Sequence, residues 1–180
     1  MKKILIYFPL LLLLSCHQSN NEVDSENNHP EKTEEEIISE IQKRFYTINA
    51  DLPSLKKVEQ ELMGESTEGG TVESYYQDQG LAKIVANYYG EMGQSIEEYY
   101  FSEDKLFFVF SKKLSYDKPM YVEGSKVTKT IENRYYFYKD KIVRWLDADK
   151  AKVDPSRFEP KETEILAAIR DLKEKAGLSN

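Results

Sequence analysis

Between residues 71 and 146 the chain is cut into short β-favouring runs by turn residues, and the cuts are too brief to join anything but antiparallel neighbours. The runs lie at 71–77, 81–89, 94–101, 105–113, 121–127, 130–138 and 141–146, the run at 121–127 having the weakest pattern. The separators are Asp78-Gln79-Gly80, Gly90-Glu91-Met92-Gly93, Ser102-Glu103-Asp104, the stretch from Asp117 to Pro119, and Lys139-Asp140. A parallel strand pair needs a crossover of about a dozen residues or more, and no separator offers one. The expectation is an antiparallel meander of about six strands.

Helical patterns flank the meander on both sides. Thr33 and Glu36 have the spacing of a capping box, followed by Ile37, Ile38, Ile41, Phe45 and Ile48 at helical period, which predicts an amphipathic helix to about Asn49. Asp51-Leu52-Pro53 interrupts it, and Leu55, Val58 and Leu62 suggest a second short helix over 54–63 ended by Gly64. At the other end Ile165, Leu166, Ile169 and Leu172 form an apolar stripe. Glu162 and Glu164 lie early in that segment, Lys173 and Lys175 late, and Gly177 follows. The fold class expected is α+β: an N-terminal amphipathic helix, the meander, and a C-terminal helix packed on the sheet.

Residues 105–111, Lys-Leu-Phe-Phe-Val-Phe-Ser, are apolar at both parities and read as a central strand covered on both faces. Adjacent tyrosines recur at Tyr75-Tyr76, Tyr88-Tyr89, Tyr99-Tyr100 and Tyr135-Tyr136, so each pair sends one ring to either face. The spacing between the pairs is too irregular for a repeat. Most of the 13 Tyr, 8 Phe and single Trp fall in the sheet. Tyr75, Tyr88, Tyr99, Tyr136 and Trp145 are the candidates for an aromatic binding face, against the plainer reading that they brace cross-strand packing.

The first residues have another character. Lys2-Lys3 precede an apolar run at 4–14, and Leu13-Leu14-Ser15-Cys16 closes it with the only cysteine of the chain. This segment resembles the signal peptide of bacterial lipoproteins, in which a charged start and an apolar core lead to a lipobox ending in Cys. The apolar run is far short of the ~20 residues that span a bilayer. The resemblance implies cleavage after Ser15, a diacylglycerol on the sulfur of Cys16 and acylation of its freed amine, palmitate being the label of choice. Each buried methylene is worth about 0.8 kcal/mol, and two or more chains together give stable anchoring. His17, where an Asp would signal inner-membrane retention in many Gram-negative cells, implies the outer membrane of the cell envelope.

Three sections follow from this: a signal peptide at 1–15, a lipidated acidic tether at 16–30, and one α+β domain at 31–180. Between His17 and Glu36 seven acids face one base, Lys32, which accounts for most of the formal charge of −7. The tether is too polar to build a core and reads as disordered. No basic stripe exists, so nucleic acid is a poor partner. In element order alone the domain resembles small inhibitor-like or PepSY-like lipoprotein modules, with no motif behind the likeness.

Chemistry is narrowed by an absence. Both histidines, His17 and His29, precede the domain, which excludes Ser-His-Asp and Cys-His triads and His-bearing metal sites from it. Three Ser-x-x-Lys matches lack companion motifs. Asp147, Asp149 and Asp154 fail the calcium-loop pattern, and no glycine-rich phosphate loop precedes a helix. Glu97-Glu98 and Glu103-Asp104 are adjacent acids, whereas glycoside hydrolysis needs two carboxyls converging across a cleft. The expectation is therefore a non-catalytic envelope lipoprotein without cofactor or metal, binding a protein partner as an accessory or inhibitor-like module. The alternatives are glycan or lipid binding on the aromatic face and, last, a carboxylate hydrolase.

Overall fold

A computed structural model describes residues 32–62, 64, 66–78 and 80–177. The signal segment, Cys16 and the tether to residue 30 lie outside the described residues. The domain is α+β: helix α1 (Glu34–Asp51), seven strands, and helix α2 (Phe158–Lys175). The strands are β1 (Lys56–Leu62), β2 (Gly70–Gln77), β3 (Gly80–Gly90), β4 (Gly93–Ser102), β5 (Lys105–Tyr116), β6 (Val127–Tyr138) and β7 (Lys141–Leu146). They form one sheet in chain order, every neighbour antiparallel.

Two expected elements differ. The helix expected at 54–63 is strand β1, because Lys56 to Leu62 pairs along its whole length with β2. Pairing with a neighbouring strand outweighs the weak helical spacing of three apolar residues. The strand expected at 121–127 is instead a closed loop. The Asp117 and Lys126 backbones meet at 3.0 Å, and Gly124 has φ +73°, which breaks an extended run.

Thr33 caps α1 as the sequence predicts: its hydroxyl accepts the Glu36 N–H at 3.3 Å, and the Glu36 carboxylate accepts the Thr33 N–H at 2.8 Å. Ile37, Ile38, Ile41 and Ile48 are buried against one sheet face with Ala82, Tyr100, Phe107, Phe108 and Tyr136. The opposite face packs Val72, Ile84, Tyr99, Val109 and Phe137 under Ile165, Ile169 and Leu172 of α2. The sheet is thus the middle layer between two helices. Glu162, buried within α2, is satisfied by the Ile142 N–H at 3.0 Å and by Lys141 Nζ at 2.8 Å, which fixes α2 to the start of β7.

A repeated device organises the α1 face. The connections β2–β3, β4–β5 and β6–β7 are tight turns carrying left-handed residues, Asp78, Glu103, Asp104, Lys139 and Asp140. After each turn one residue is left without a ladder partner: Ala82, Phe107 and Val143. Each bulge turns two consecutive side chains toward α1. Lys83, Phe108 and Arg144 occupy equivalent places in these bulges and meet α1 at Asn49, Phe45 and the Glu34–Glu35 pair respectively. The helix therefore crosses the strands from β7 to β3.

Candidate functional site

The aromatic residues singled out in the sequence do not share a face. Tyr99 and Trp145 belong to the core under α2, and Tyr88 packs against it. Tyr136 belongs to the core under α1. Tyr75 pairs with Lys83 on that same side. Tyr99, Tyr136 and Trp145 are buried, at 4%, 6% and 7% exposure. This corrects the grouping: strand register, which no single strand reveals, sends the rings to opposite layers. Trp145 donates from Nε1 to Asn133 at 2.9 Å and lies under the Arg157 guanidinium. Tyr136 packs on Phe108 with the ring centroids 5.0 Å apart and the planes tilted by 58°. Tyr75 donates to Glu73 at 2.6 Å, and burial together with that carboxylate pushes its phenol up to about 12. These contacts are those of packing residues.

The adjacent acids are also separated. Glu97 lies on the α2 face and Glu98 on the α1 face, while Glu103 and Asp104 form a turn. Glu97 accepts from Ser111 at 2.8 Å and Ser95 at 3.3 Å. Burial nonetheless holds its carboxyl above the ordinary value of 4.5, the two hydroxyls opposing the shift only in part. Burial likewise pushes the phenols of Tyr99 and Tyr135 up, with the Glu97 charge adding to it, so both stay protonated at neutral pH. Asp147 accepts the Asp149 and Ala151 N–H groups at 3.0 Å each, as the head of a turn. Among the described residues no three acidic, His or Cys side chains converge as a metal site, and no helix is long and apolar enough to cross a membrane.

What the sequence did not single out is an apolar ridge at one end of the sheet. The β5–β6 loop (residues 117–126) is braced by its own bonds: Val122 N–H to Pro119 O at 2.9 Å, Ser125 N–H to Val122 O at 3.1 Å, and Lys118 Nζ to Glu123 O at 2.6 Å. It is also tied to the β3–β4 turn. The Met120 N–H donates to Glu91 O at 2.9 Å, the Tyr121 hydroxyl to the Glu91 carboxylate at 2.9 Å, and the Tyr116 N–H to Met92 O at 2.9 Å. These bonds, with the pairing of Val127 to Tyr116, bring Met92, Met120, Tyr121, Val122 and Val127 to one end of the sheet, with Tyr121 70% exposed and Met92 47%. Only Tyr46 and Leu166 join them as exposed large hydrophobics among the described residues. Exposed apolar residues gathered in one place carry more information than scattered ones. A signal existed in Pro119-Met120-Tyr121-Val122, an apolar run bounded by a proline and, at Gly124, a glycine.

The chain matches no protein-family model, no curated protein and no solved structure.

Proposed function

We propose that this protein is a non-catalytic lipoprotein of the bacterial cell envelope that presents its domain to a protein partner through the ridge formed by the β3–β4 turn and the β5–β6 loop. The observation that carries the reading is the concentration of Met92, Met120, Tyr121, Val122 and Val127, five of the seven exposed large hydrophobics among the described residues, at one end of the sheet. Aromatic and methionine side chains are enriched at interface centres, because they bury much area at modest entropic cost. The loop is held by six named hydrogen bonds, four of its own and two to Glu91 of the β3–β4 turn, so little ordering would be needed on docking.

Anchoring enters from the sequence alone. The lipobox Leu13-Leu14-Ser15-Cys16 supports lipidation of Cys16, with residues 16–30 as a tether to the outer membrane. Metabolic labelling with palmitate tests this half: the label is expected on the native chain and absent from Cys16→Ala, and equal labelling of both overturns it. Co-purification from detergent-solubilised membranes tests the other half. A partner retained by the native protein should be lost from Met120→Asp/Tyr121→Asp with the circular dichroism spectrum unchanged. Retention by that variant overturns the docking surface.

A further inference from the structure

α1 covers only part of its sheet face, and between its second half and strands β3 to β6 lies a cleft of about 470 Å³, within the range of small-ligand sites. Its walls are aromatic: Phe45 and Tyr46 from the helix, Phe110 and Tyr136 from the sheet. Tyr46 is 69% exposed at the mouth. The larger hollow on the other side of α1, about 560 Å³, has Phe101 and Phe107 as its only rings.

Full charges at the floor are spent on one another. Lys83 Nζ lies 2.7 Å from Glu98 Oε2 and 3.1 Å from Asn49 Oδ1, and Tyr100 gives its phenol proton to the same Glu98 oxygen at 2.5 Å. Arg134 Nη2 pairs with Glu132 at 2.7 Å, its guanidinium stacked over Phe110. An ion entering the cleft would therefore meet no net opposite charge. Among the described residues, two atoms at the floor bear on a ligand. Arg134 Nη1 is shielded from water without a partner, and Glu98 Oε1 accepts no hydrogen bond. A buried donor without a partner is costly, and a ligand oxygen would relieve it. An acyl chain would leave both groups unsatisfied.

A neutral ring with an apolar face and adjacent hydroxyls answers each feature. Its C–H face suits the aromatic walls, one hydroxyl can donate to Glu98 Oε1, and another can accept from Arg134 Nη1 once the guanidinium turns from Phe110 toward the cleft. We propose that the cleft under α1 binds a neutral saccharide of one or two pyranose units. The site is separate from the ridge, and its failure would leave the docking reading untouched.

The test is a titration of the ¹⁵N-labelled domain with N-acetylglucosamine, glucose, galactose and their β-linked disaccharides to roughly 10 mM, where even a millimolar complex is visible. The expected result is a saturable shift of amides around Tyr46, Glu98 and Arg134 by at least one sugar. Tyr46→Ala and Glu98→Gln should each weaken binding by roughly tenfold or more, while Tyr121→Asp leaves it unchanged. Tyr46 is exposed, so its variant keeps the fold if Glu98→Gln does not. Pull-down on an insoluble polymer of the binding sugar separates the two sources: retention assigns a polymeric glycan, and binding of the short sugar alone assigns a soluble one. No shift by any sugar, shifts that persist in Tyr46→Ala, or cleft shifts produced only by acetate or by tetramethylammonium would overturn the proposal.

Discussion

Lys83 and Glu98 meet at 2.7 Å beneath α1, the lysine side chain 6% exposed and the glutamate 23%. Removing one partner strands a charge in a place water barely reaches, and that costs about 3 to 5 kcal/mol. Glu98→Ala is therefore expected to be severely destabilising in urea denaturation. Lys83→Met combined with Glu98→Gln should cost clearly less than the two single changes added together. Additive effects would show that the pair is not coupled.

The three equivalent bulge positions should contribute unequally. Phe108, buried against Phe45 and Tyr136, is expected to cost about 3 to 5 kcal/mol on change to Ala. Arg144 is 11% exposed, but its partners Glu34 and Glu35 are 45% and 75% exposed, so Arg144→Ala should cost only about 1 kcal/mol. Its effect should be local. Hydrogen exchange is expected to rise in the first turns of α1 and to stay unchanged near Asn49.

At the turns, Glu103 and Asp104 have φ +52° and +59°, and Lys139 and Asp140 +49° and +61°. Side chains resist this conformation and glycine does not. Asp104→Gly and Asp140→Gly should each stabilise the domain by roughly 0.5 to 1 kcal/mol, read as higher urea midpoints. Lower midpoints would mean that these aspartates make contacts beyond the turn.

Glu97 links stability to pH. Because burial raises its carboxyl above 4.5, the folded chain holds this proton more readily than the unfolded one. Its contribution is fully favourable below about 4.5 and is lost as pH rises through the elevated value. The groups facing it are Ser95, Ser111, Tyr99, Tyr135, Lys113 and, from α2, Lys161. Glu97→Gln should raise the melting temperature at about pH 7 and lose that advantage near about pH 4. A constant difference across this window would assign the effect to hydrogen bonding alone.

Much of the architecture was legible in the chain because local signals and packing agree. Thr33 with Glu36, the isoleucine stripe of α1 and the stripe Ile165, Ile169, Leu172 each point to the element that forms. β1 was not legible: Leu55, Val58 and Leu62 mimic a helical face, and as an edge strand β1 buries only Leu62 fully. Nor was the fate of the tyrosines, since each bulge at Ala82, Phe107 and Val143 shifts side-chain parity by one place. The turn spacing hid the repeated bulges. Asp78 and Glu103 are separated by one hairpin, whereas Glu103 and Lys139 are separated by a hairpin plus the loop at 117–126. That same loop holds the ridge, whose residues become neighbours only through bonds to Glu91 and Met92.

The most direct test of the ridge is a photo-crosslinking residue placed at Tyr121 in cells producing the full chain, with a second chain carrying it at exposed Lys43 as control. One discrete protein adduct is expected from position 121, absent from position 43 and abolished by Met120→Asp. No adduct at position 121, or the same adduct from both positions, would contradict docking through the ridge.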